Sequence, residues 1–353
     1  MKKYKVGMVG VGRGTAYGHI FTHHPDTEVV ALCDFDEESL ATNGKDFGID
    51  DKNLFTNYED MLNTDVDIVV LGTPIPFHAD QTVKGLAAGK HILCEVTASD
   101  NLKDCRRMVE AVRSAKSKFM MAENVNYMDF ALQWDKYIKA GKIGTPFYAE
   151  ADYLHEIRDK VDGKWRANRA PLHYCSHSLG PILKWMDDHI VRCTALGKES
   201  RCFEEKTIGN IDLQVALFET AKGATIKVAR SSVARRYPGS GFYSILGTKG
   251  FLESSREGYE GVGLRYFEGI DPDKTARKIA IPTSNLDAPP EANAGGHGTS
   301  EYYLVHDFLK CIEEDTTPPI DIVRAMDMTV PGLIAHEAAM KGGVWLDVPR
   351  ITD

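Results

Sequence analysis

Residues 5–18 read Lys-Val-Gly-Met-Val-Gly-Val-Gly-Arg-Gly-Thr-Ala-Tyr-Gly, and this stretch decides the fold. A short apolar run, Lys5–Val9, enters a glycine-rich turn, and a helical pattern follows over Ala16–His24. The alternation continues along the chain: further apolar runs lie at Glu28–Cys33, Val66–Gly72, His91–Cys94 and Lys118–Ala122, with helical patterns at Glu37–Phe47, His78–Ala88 and Leu102–Ala115. Continuous apolar runs suit strands buried on both faces, so the alternation predicts a parallel, doubly wound α/β sheet.

The glycine turn matches a dinucleotide-binding pattern in part. Gly10 and Gly12 occupy the first two places of G-x-G-x-x-G, after a strand and before a helix. There the first glycine permits a tight turn, and the second lets the backbone approach a pyrophosphate at the helix N-terminus. Thr15 stands in the third place, and Gly14 and Gly18 are nearby substitutes.

The second predicted strand is followed by Asp34, 22 residues after Gly12. An acidic side chain at about this offset accepts hydrogen bonds from the adenosine ribose and repels a 2′-phosphate. The alternative role is a turn cap before Phe35 and Asp36. Together with the glycine turn, Asp34 predicts NAD as the cofactor, in preference to NADP.

The pattern changes after residue 124, which divides the chain into a predicted NAD-binding domain, 1–124, and an α+β domain, 125–353, whose last helix could pack back on the first. The second domain is predicted to contain a large, mostly antiparallel open sheet. The predicted elements are helices at Phe130–Ala140, Ser176–Asp187, Ser300–Glu314 and Asp321–Lys341, and strands at Pro146–His155, Asp212–Thr220, Ala224–Ser232, Gly241–Leu246 and Val262–Phe267. Pro331 should kink or split the last helix. The Pro-, Asn-, Ala- and Gly-rich stretch Pro282–Gly298 is a predicted lid.

Composition excludes several classes of partner. The chain has 353 residues, a net charge of -9 and a pI of about 5.8, which disfavours nucleic acid and anionic membranes. No signal peptide and no apolar run of membrane-spanning length is found, and the cysteines show no C-x-x-C pair, so we expect a cytoplasmic location with reduced thiols. The histidine spacing gives no clear metal signature, and no metal site is predicted. We interpret the basic cluster Arg230, Arg235 and Arg236 as a solvated sheet edge rather than an anion site.

Three further motifs carry a family resemblance. Thr73-Pro74 ends the third apolar run with His78 four residues on, Gly89-Lys90-His91 enters the fourth, which closes at Glu95, and Ile143-Gly144-Thr145-Pro146 opens the second domain. With the glycine turn, these segments resemble the Gfo/Idh/MocA oxidoreductases over essentially the whole chain. The resemblance implies a Rossmann domain, NAD, oxidation or reduction of a sugar-like substrate, and oligomerisation (dimer or tetramer) through the C-terminal sheet. The cofactor-binding residues then implied are Gly10, Gly12, Arg13, Gly14, Thr15, Asp34, Thr73, Pro74, His78, Glu95 and Asn124.

Two departures from the family pattern concern proton transfer. The usual E-K-P is Glu95-Val96-Thr97 here, so valine replaces the family lysine. The family also has a common D-x-x-x-H pair. Here His177 keeps the histidine, and His173 stands in place of the aspartate.

A partial resemblance to the NAD-dependent α-N-acetylgalactosaminidases accounts for the first departure, because that branch also tends to lack the lysine. The matching segments are Glu123–Tyr127, Tyr174–Pro181 and Gly295–Gly298.

Without the lysine, another base must take the hydroxyl proton, and histidine titrates in the useful range. His177 is the first candidate and Tyr174 the second; His173, four residues before His177, would share its face on a helix. Candidate substrate residues are His155, Trp165, Arg166, His173 and His297. The leading function is NAD-dependent oxidation of a sugar or glycoside hydroxyl. The alternatives are a glycosidase that oxidises C3 transiently and then eliminates, and a non-catalytic NAD-binding regulator.

Overall fold

The computed structural model describes residues 3–157, 169–199, 211–236, 240–257 and 261–353. These residues divide into two compact units. Unit 1 comprises Met1–Tyr127, Ser284–Met326 and Ile351–Asp353, and unit 2 comprises Met128–Thr283 and Asp327–Arg350. Within the described ranges, no helix is long and apolar enough to cross a membrane.

Unit 1 is built on a parallel sheet. Its strands are β1 (Tyr4–Val9), β2 (Thr27–Cys33), β3 (Leu54–Phe55), β4 (Ile68–Leu71), β5 (His91–Cys94) and β6 (Phe119–Met121), in the order β3-β2-β1-β4-β5-β6. Its first helices are α1 (Val11–His23), α2 (Glu37–Phe47), α3 (Tyr58–Leu62), α4 (Ile75–Ala87) and α5 (Leu102–Ser114). Every residue of β4 and β6 is buried, as expected for strands covered on both faces. The predicted doubly wound fold is confirmed.

Unit 2 is built on a mixed, mostly antiparallel sheet. Its helices include α6 (Asp129–Lys139) and α7 (Ser176–Met186). Its strands are β7 (Pro146–Leu154), β8 (Ile190–Leu196), β9 (Gln214–Thr220), β10 (Thr225–Ser231), β11 (Ser240–Gly247), β12 (Gly250–Glu253), β13 (Gly261–Phe267), β14 (Arg277–Ile281) and β15 (Leu346–Asp347). In the described sheet they lie in the order β14-β13-β12-β11-β7-β10-β9-β8-β15, and only β7 and β10 pair in parallel. The predicted α+β class of the second domain is confirmed.

The last two helices are α8 (Ser300–Glu313), in unit 1, and α9 (Ile322–Met340). Helix α9 continues through Pro331 without interruption, so it does not split there, and the alternative of a kink stays a prediction. Pro282–Gly298, the predicted lid, contains a one-turn 3₁₀-helix at Pro290–Ala294.

Candidate functional site

The turn between β1 and α1 is shaped by glycine. Gly10 adopts the left-handed conformation, with φ of 83°, and a Cβ atom there would lie 2.7 Å from the backbone carbon of Gly72. The N-cap residue of α1 is Gly10, which has no side chain to bond the amides of the first turn, and a Cβ on Gly12 would meet no atom within 4 Å. The turn therefore leaves the positive end of the helix open to an anionic group.

Thr15 stands where the pattern has its third glycine, and other glycines provide the close packing expected there. A Cβ on Gly72, at the end of β4, would lie 2.6 Å from the backbone nitrogen of Gly14. A Cβ on Gly18 would lie within 2.4 Å of the sulfur of Met8 in β1. Gly72 and Gly18 thus permit the close helix–strand packing that the third glycine of the pattern usually provides, whereas a Cβ on Gly14 would meet no atom closer than 3.9 Å.

Asp34 connects the end of β2 to the glycine turn. One carboxylate oxygen accepts a hydrogen bond from Val11 N at 2.9 Å, and the other accepts one from Asp36 N at 3.1 Å. The second bond is the turn contact considered as the alternative role. Each carboxylate oxygen has a further lone pair, so these bonds leave acceptor capacity for ribose hydroxyls.

Glu95 directly follows β5, on the other side of the sheet centre. Its Oε1 atom lies 2.8 Å from Nε of Arg13, and its Oε2 accepts a hydrogen bond from Val96 N at 3.1 Å. The ion pair joins two predicted cofactor-binding residues. The Val96 side chain is buried, and the Val96–Thr97 peptide bond is cis.

His78 holds two loops at this edge of the sheet. It is fully buried, with Nδ1 2.9 Å from the carbonyl oxygen of Thr97 and Nε2 2.8 Å from that of Thr73. Burial lowers its pKa, although the two hydrogen bonds act in the opposite direction. Because both ring nitrogens are engaged by backbone carbonyls, His78 fixes the loops after β4 and β5. Pro74 directly follows Thr73 and is the N-cap residue of α4.

Asn124 follows β6 and is buried. Its Nδ2 lies 3.5 Å from Oε1 of Glu301, and its Oδ1 has no hydrogen-bond partner among the described residues. Glu301 also lies 2.5 Å from Nδ1 of His297. A buried acceptor without a partner, together with the open helix N-terminus at Gly12, fits a bound dinucleotide with hydrogen-bond donors at its nicotinamide end.

In unit 2, Tyr174 and His177 form a hydrogen-bonded pair. The Tyr174 hydroxyl lies 3.2 Å from Nε2 of His177, and the carbonyl of His177 accepts a 2.6 Å hydrogen bond from Tyr243. The ring of Tyr153 lies 5.3 Å from that of His177 and 5.8 Å from that of His155. The structure therefore brings three sequence-predicted residues, Tyr174, His177 and His155, into one aromatic cluster.

Two buried arginines flank this cluster. The guanidinium of Arg169 lies 4.2 Å from the centre of the Tyr174 ring, and that of Arg230 lies 4.4 Å from Tyr153 and 5.4 Å from Tyr174. Arg230 also donates to the carbonyls of Tyr153 and Ser231 at 2.9 and 2.7 Å. The interpretation of Arg230 as part of a solvated sheet edge is wrong, because its side chain is only 1% exposed.

His173 does not join His177. A 3₁₀-helix ends at Tyr174 and α7 begins at Ser176, so the two histidines do not lie on one continuous α-helix. The His173 ring instead packs edge-on against that of His336, with centroids 4.6 Å apart. Burial, with the neighbouring His336 and Arg169, lowers the pKa of His173 to about 3.

Trp165 and Arg166 lie outside the described residues. In the described part of the chain, no group of three His, Cys, Asp or Glu residues is placed to hold a metal ion. The described cysteines are unpaired and buried: Cys33, Cys94, Cys105, Cys175, Cys193 and Cys311.

Sequence reasoning missed Glu301, Arg169 and Tyr153. Glu301 had a readable signal, since it lies four residues after His297, but the roles of Arg169 and Tyr153 depend on long-range packing.

Comparison with known proteins defines the class. Residues 4–123 match the oxidoreductase family with an NAD-binding Rossmann fold, and residues 135–347 match the C-terminal alpha/beta domain of the same family. The fold, the glycine turn and these matches define an NAD-binding oxidoreductase. The chain belongs to the Gfo/Idh/MocA oxidoreductase family.

Among individual relatives, the chain is 26% identical over 393 residues to a glycosyl hydrolase family 109 protein of Shewanella pealeana, covering 100% of this chain and 86% of the relative. A protein of the same description from Solibacter usitatus is 24% identical, with 99% and 88% covered.

Similar solved structures include levoglucosan dehydrogenase with NADH and levoglucosan (TM-score 0.85, 20% identity, 99% of this chain and 100% of that one). Another is aldose-aldose oxidoreductase from Caulobacter crescentus with glycerol (TM-score 0.81, 19% identity, 98% and 100%). At these identities, the likeness is one of fold.

Proposed function

We propose that this protein uses NAD to oxidise a hydroxyl group of a sugar or glycoside, with His177 and Tyr174 as the proton-transfer pair. The observation that carries the proposal is the 3.2 Å contact between the Tyr174 hydroxyl and Nε2 of His177, in a chain whose other unit is an NAD-binding domain. The sugar-oxidising enzymes among the structural neighbours support a carbohydrate substrate.

NAD, when bound, supplies the hydride acceptor, and Gly10, Gly12 and Asp34 would hold its pyrophosphate and adenosine ribose. On the other side of the sheet centre, Glu95 and Asn124 would hold the nicotinamide end. The chain itself must then remove the hydroxyl proton as the carbonyl forms. Val96 has no group that can accept it.

His177 and Tyr174 can act as one unit. As the Tyr174 oxygen accepts the substrate proton, its own proton can pass to Nε2 of His177. Positive guanidinium groups near the phenol stabilise negative charge on its oxygen, so Arg169 and Arg230 assist the transfer. Tyr243 anchors the backbone of His177 and keeps the imidazole in place.

A second function, redox-neutral glycoside cleavage, is favoured by the family 109 relatives, which align over nearly the whole chain. A ketone formed transiently at C3 acidifies the C2 hydrogen. A base then removes that proton, and the C1 substituent is eliminated. Water adds back, and return of the hydride restores the hydroxyl, so NAD is not consumed.

One assay distinguishes net oxidation, glycoside cleavage and a non-catalytic regulator. The protein is incubated with NAD and a panel of free sugars and para-nitrophenyl glycosides. Accumulation of NADH in step with substrate supports net oxidation. Release of nitrophenol with only catalytic NAD, accompanied by deuterium exchange at C2, supports cleavage. Tight NAD binding without any turnover would overturn both and leave the regulator.

A further inference from the structure

Glu301 is a carboxylate buried at the start of α8. Its side chain is 0% exposed, and a buried charge is tolerated only when hydrogen bonds compensate for lost hydration. Its oxygens lie near four donors: Nδ1 of His297 at 2.5 Å, Ser300 Oγ at 3.1 Å, His297 N at 3.2 Å and Asn124 Nδ2 at 3.5 Å. Burial is the largest single effect and acts to raise its pKa, but the hydrogen bond and charge of His297, together with the bonds from the backbone and Ser300, outweigh it and the pKa is lowered.

The glycines around His297 allow the chain to approach Glu301 closely. A Cβ on Gly295 would lie 2.9 Å from Oε2 of Glu301. A Cβ on Gly296 would lie 3.8 Å from the Cβ of Ala16, in the helix that follows the dinucleotide turn. His297 is therefore held through its ring and its backbone, next to α1.

The orientation of His297 determines what its ring can do. Nδ1 is directed at the carboxylate, while the side chain as a whole is 37% exposed. Nε2 is then the nitrogen that can exchange a proton with a ligand. A carboxylate that fixes the tautomer and stabilises positive charge on the ring is the arrangement used by histidines in acid–base catalysis.

The same network reaches the nicotinamide half of the sheet. Asn124 follows β6, which lies at the edge opposite β3, while Asp34 follows β2 in the adenosine half. Asn124 donates to Glu301, and its buried Oδ1 has no protein partner among the described residues. The buried amide oxygen is an independent sign of a ligand beside the His297–Glu301 pair.

We propose that His297, positioned by Glu301, is the general acid that protonates the departing oxygen of a glycoside. The proposal rests on the cleavage reaction advanced as the second function. In that reaction a base takes the C2 proton, and the electron pair of the C2–H bond forms the C1=C2 bond. The C1–O bond breaks, and the leaving oxygen takes the proton from Nε2 of His297. Water adding at C1 returns a proton to His297 as C2 is reprotonated.

The test compares two leaving groups on the one sugar that wild-type protein cleaves. An alcohol needs protonation as it leaves and para-nitrophenolate does not. We expect His297→Ala to lower the rate on the methyl glycoside by about 100-fold or more, and on the para-nitrophenyl glycoside by less than about 10-fold. NAD affinity and thermal stability are measured for each variant. His306→Ala, on an exposed part of α8, is the matched control.

Glu301 acts through His297, so Glu301→Gln should show the same leaving-group preference with a smaller loss. If this variant fails to fold, His297→Ala still decides the question. Equal losses on both substrates, or none, would overturn the role of His297 while the cleavage function stands. Failure of wild-type protein to cleave any glycoside of the panel would remove the function and this role together.

Discussion

The Tyr174–His177 pair gives the most direct prediction for single residues. His177→Ala should lower the turnover number by about 100- to 10,000-fold, because general acid–base residues contribute on this scale. NAD affinity should change little, since the cofactor-binding residues belong to unit 1. Tyr148→Phe is the control: this phenol bonds Glu150 on the opposite face of the same sheet. Near wild-type turnover by His177→Ala would rule out the assignment.

Asp34 determines cofactor choice in this account. Asp34→Ala should reduce the preference for NAD over NADP, because a carboxylate at this place repels the 2′-phosphate and bonds the ribose. The ratio of kcat/KM with the two cofactors measures the effect. Asp36→Ala removes a nearby carboxylate that caps α2, and it should leave the ratio unchanged. An unchanged ratio in Asp34→Ala would mean that this carboxylate only supports the turn.

Individual residues also show where sequence reasoning stops. His177 and Tyr174 were predictable as a neighbouring pair because three positions separate them in the sequence. Arg230 was misread because three arginines close together resemble a solvated edge. In β10 it pairs with Tyr153 of β7, and its side chain is buried against the Tyr153 and Tyr174 rings. Only the sheet register reveals this.

Among the elements, the turn from β1 to α1 allows cofactor binding and stability to be tested by separate substitutions. Gly12→Ala places a methyl group where the protein has no atom within 4 Å, so we expect a normal fold with weaker NAD binding. Gly72→Ala forces a methyl group against the backbone of Gly14, and it should lower the free energy of unfolding by about 1–3 kcal/mol. Urea denaturation and NAD titration measure both variants. Equal free energies of unfolding for Gly12→Ala and Gly72→Ala would contradict the packing described for this turn.

The 3₁₀-helix that carries His173 should make unit 2 sensitive to acid. The pKa of His173 is lowered to about 3 from 6.5, so below pH 6.5 the unfolded chain binds a proton that the folded chain does not. Stability therefore falls as the pH decreases from 6.5 towards 3. His173→Asn should reduce the loss between pH 7.5 and 5 by about 1–2 kcal/mol, measured by urea denaturation. His23→Asn, at an exposed position of α1, is the control. Equal acid sensitivity of His173→Asn and wild type would contradict the assignment.

Element boundaries were predictable where hydrophobic patterns are long. The short pieces β3 and α3 were missed because two and five residues carry too little pattern. Helix α1 begins at Val11, earlier than the predicted Ala16, because the glycine-rich turn is itself its first turn. The glycines suppress helix propensity there, and packing against Gly72 overrides it.

For the whole molecule, the face of the unit 2 sheet opposite its helices is the surface through which we expect a second copy of the chain to bind. Helices α6 and α7 pack against the sheet, and strand pairing places one row of residues on a single face: Thr194, Leu217, Lys227, Glu150, Ser244, Glu253, Leu264 and Lys278. Leu217 and Leu264 in this row are 40% and 38% exposed. Leu217 and Leu264 are the exposed apolar side chains of this row that an interface through the sheet would cover.

We therefore expect a homodimer or tetramer formed through this face. The double variant Leu217→Lys and Leu264→Lys should shift the protein towards the monomer in sedimentation velocity. Leu286→Lys changes a 95% exposed leucine in unit 1 and should not shift it. A monomeric wild type, or an unaffected double variant, would contradict this surface.

The central claim is that catalysis passes through hydride transfer to NAD, with Tyr174 and His177 moving the proton. Stopped-flow absorbance of the reduced nicotinamide tests it most directly, in a first turnover of protein saturated with NAD and mixed with a substrate found in the panel. We predict that reduced nicotinamide forms within that turnover, that it persists for net oxidation and is transient for cleavage, and that it forms much more slowly in His177→Ala. Turnover of substrate without any reduced nicotinamide, or an unchanged signal in His177→Ala, would contradict it.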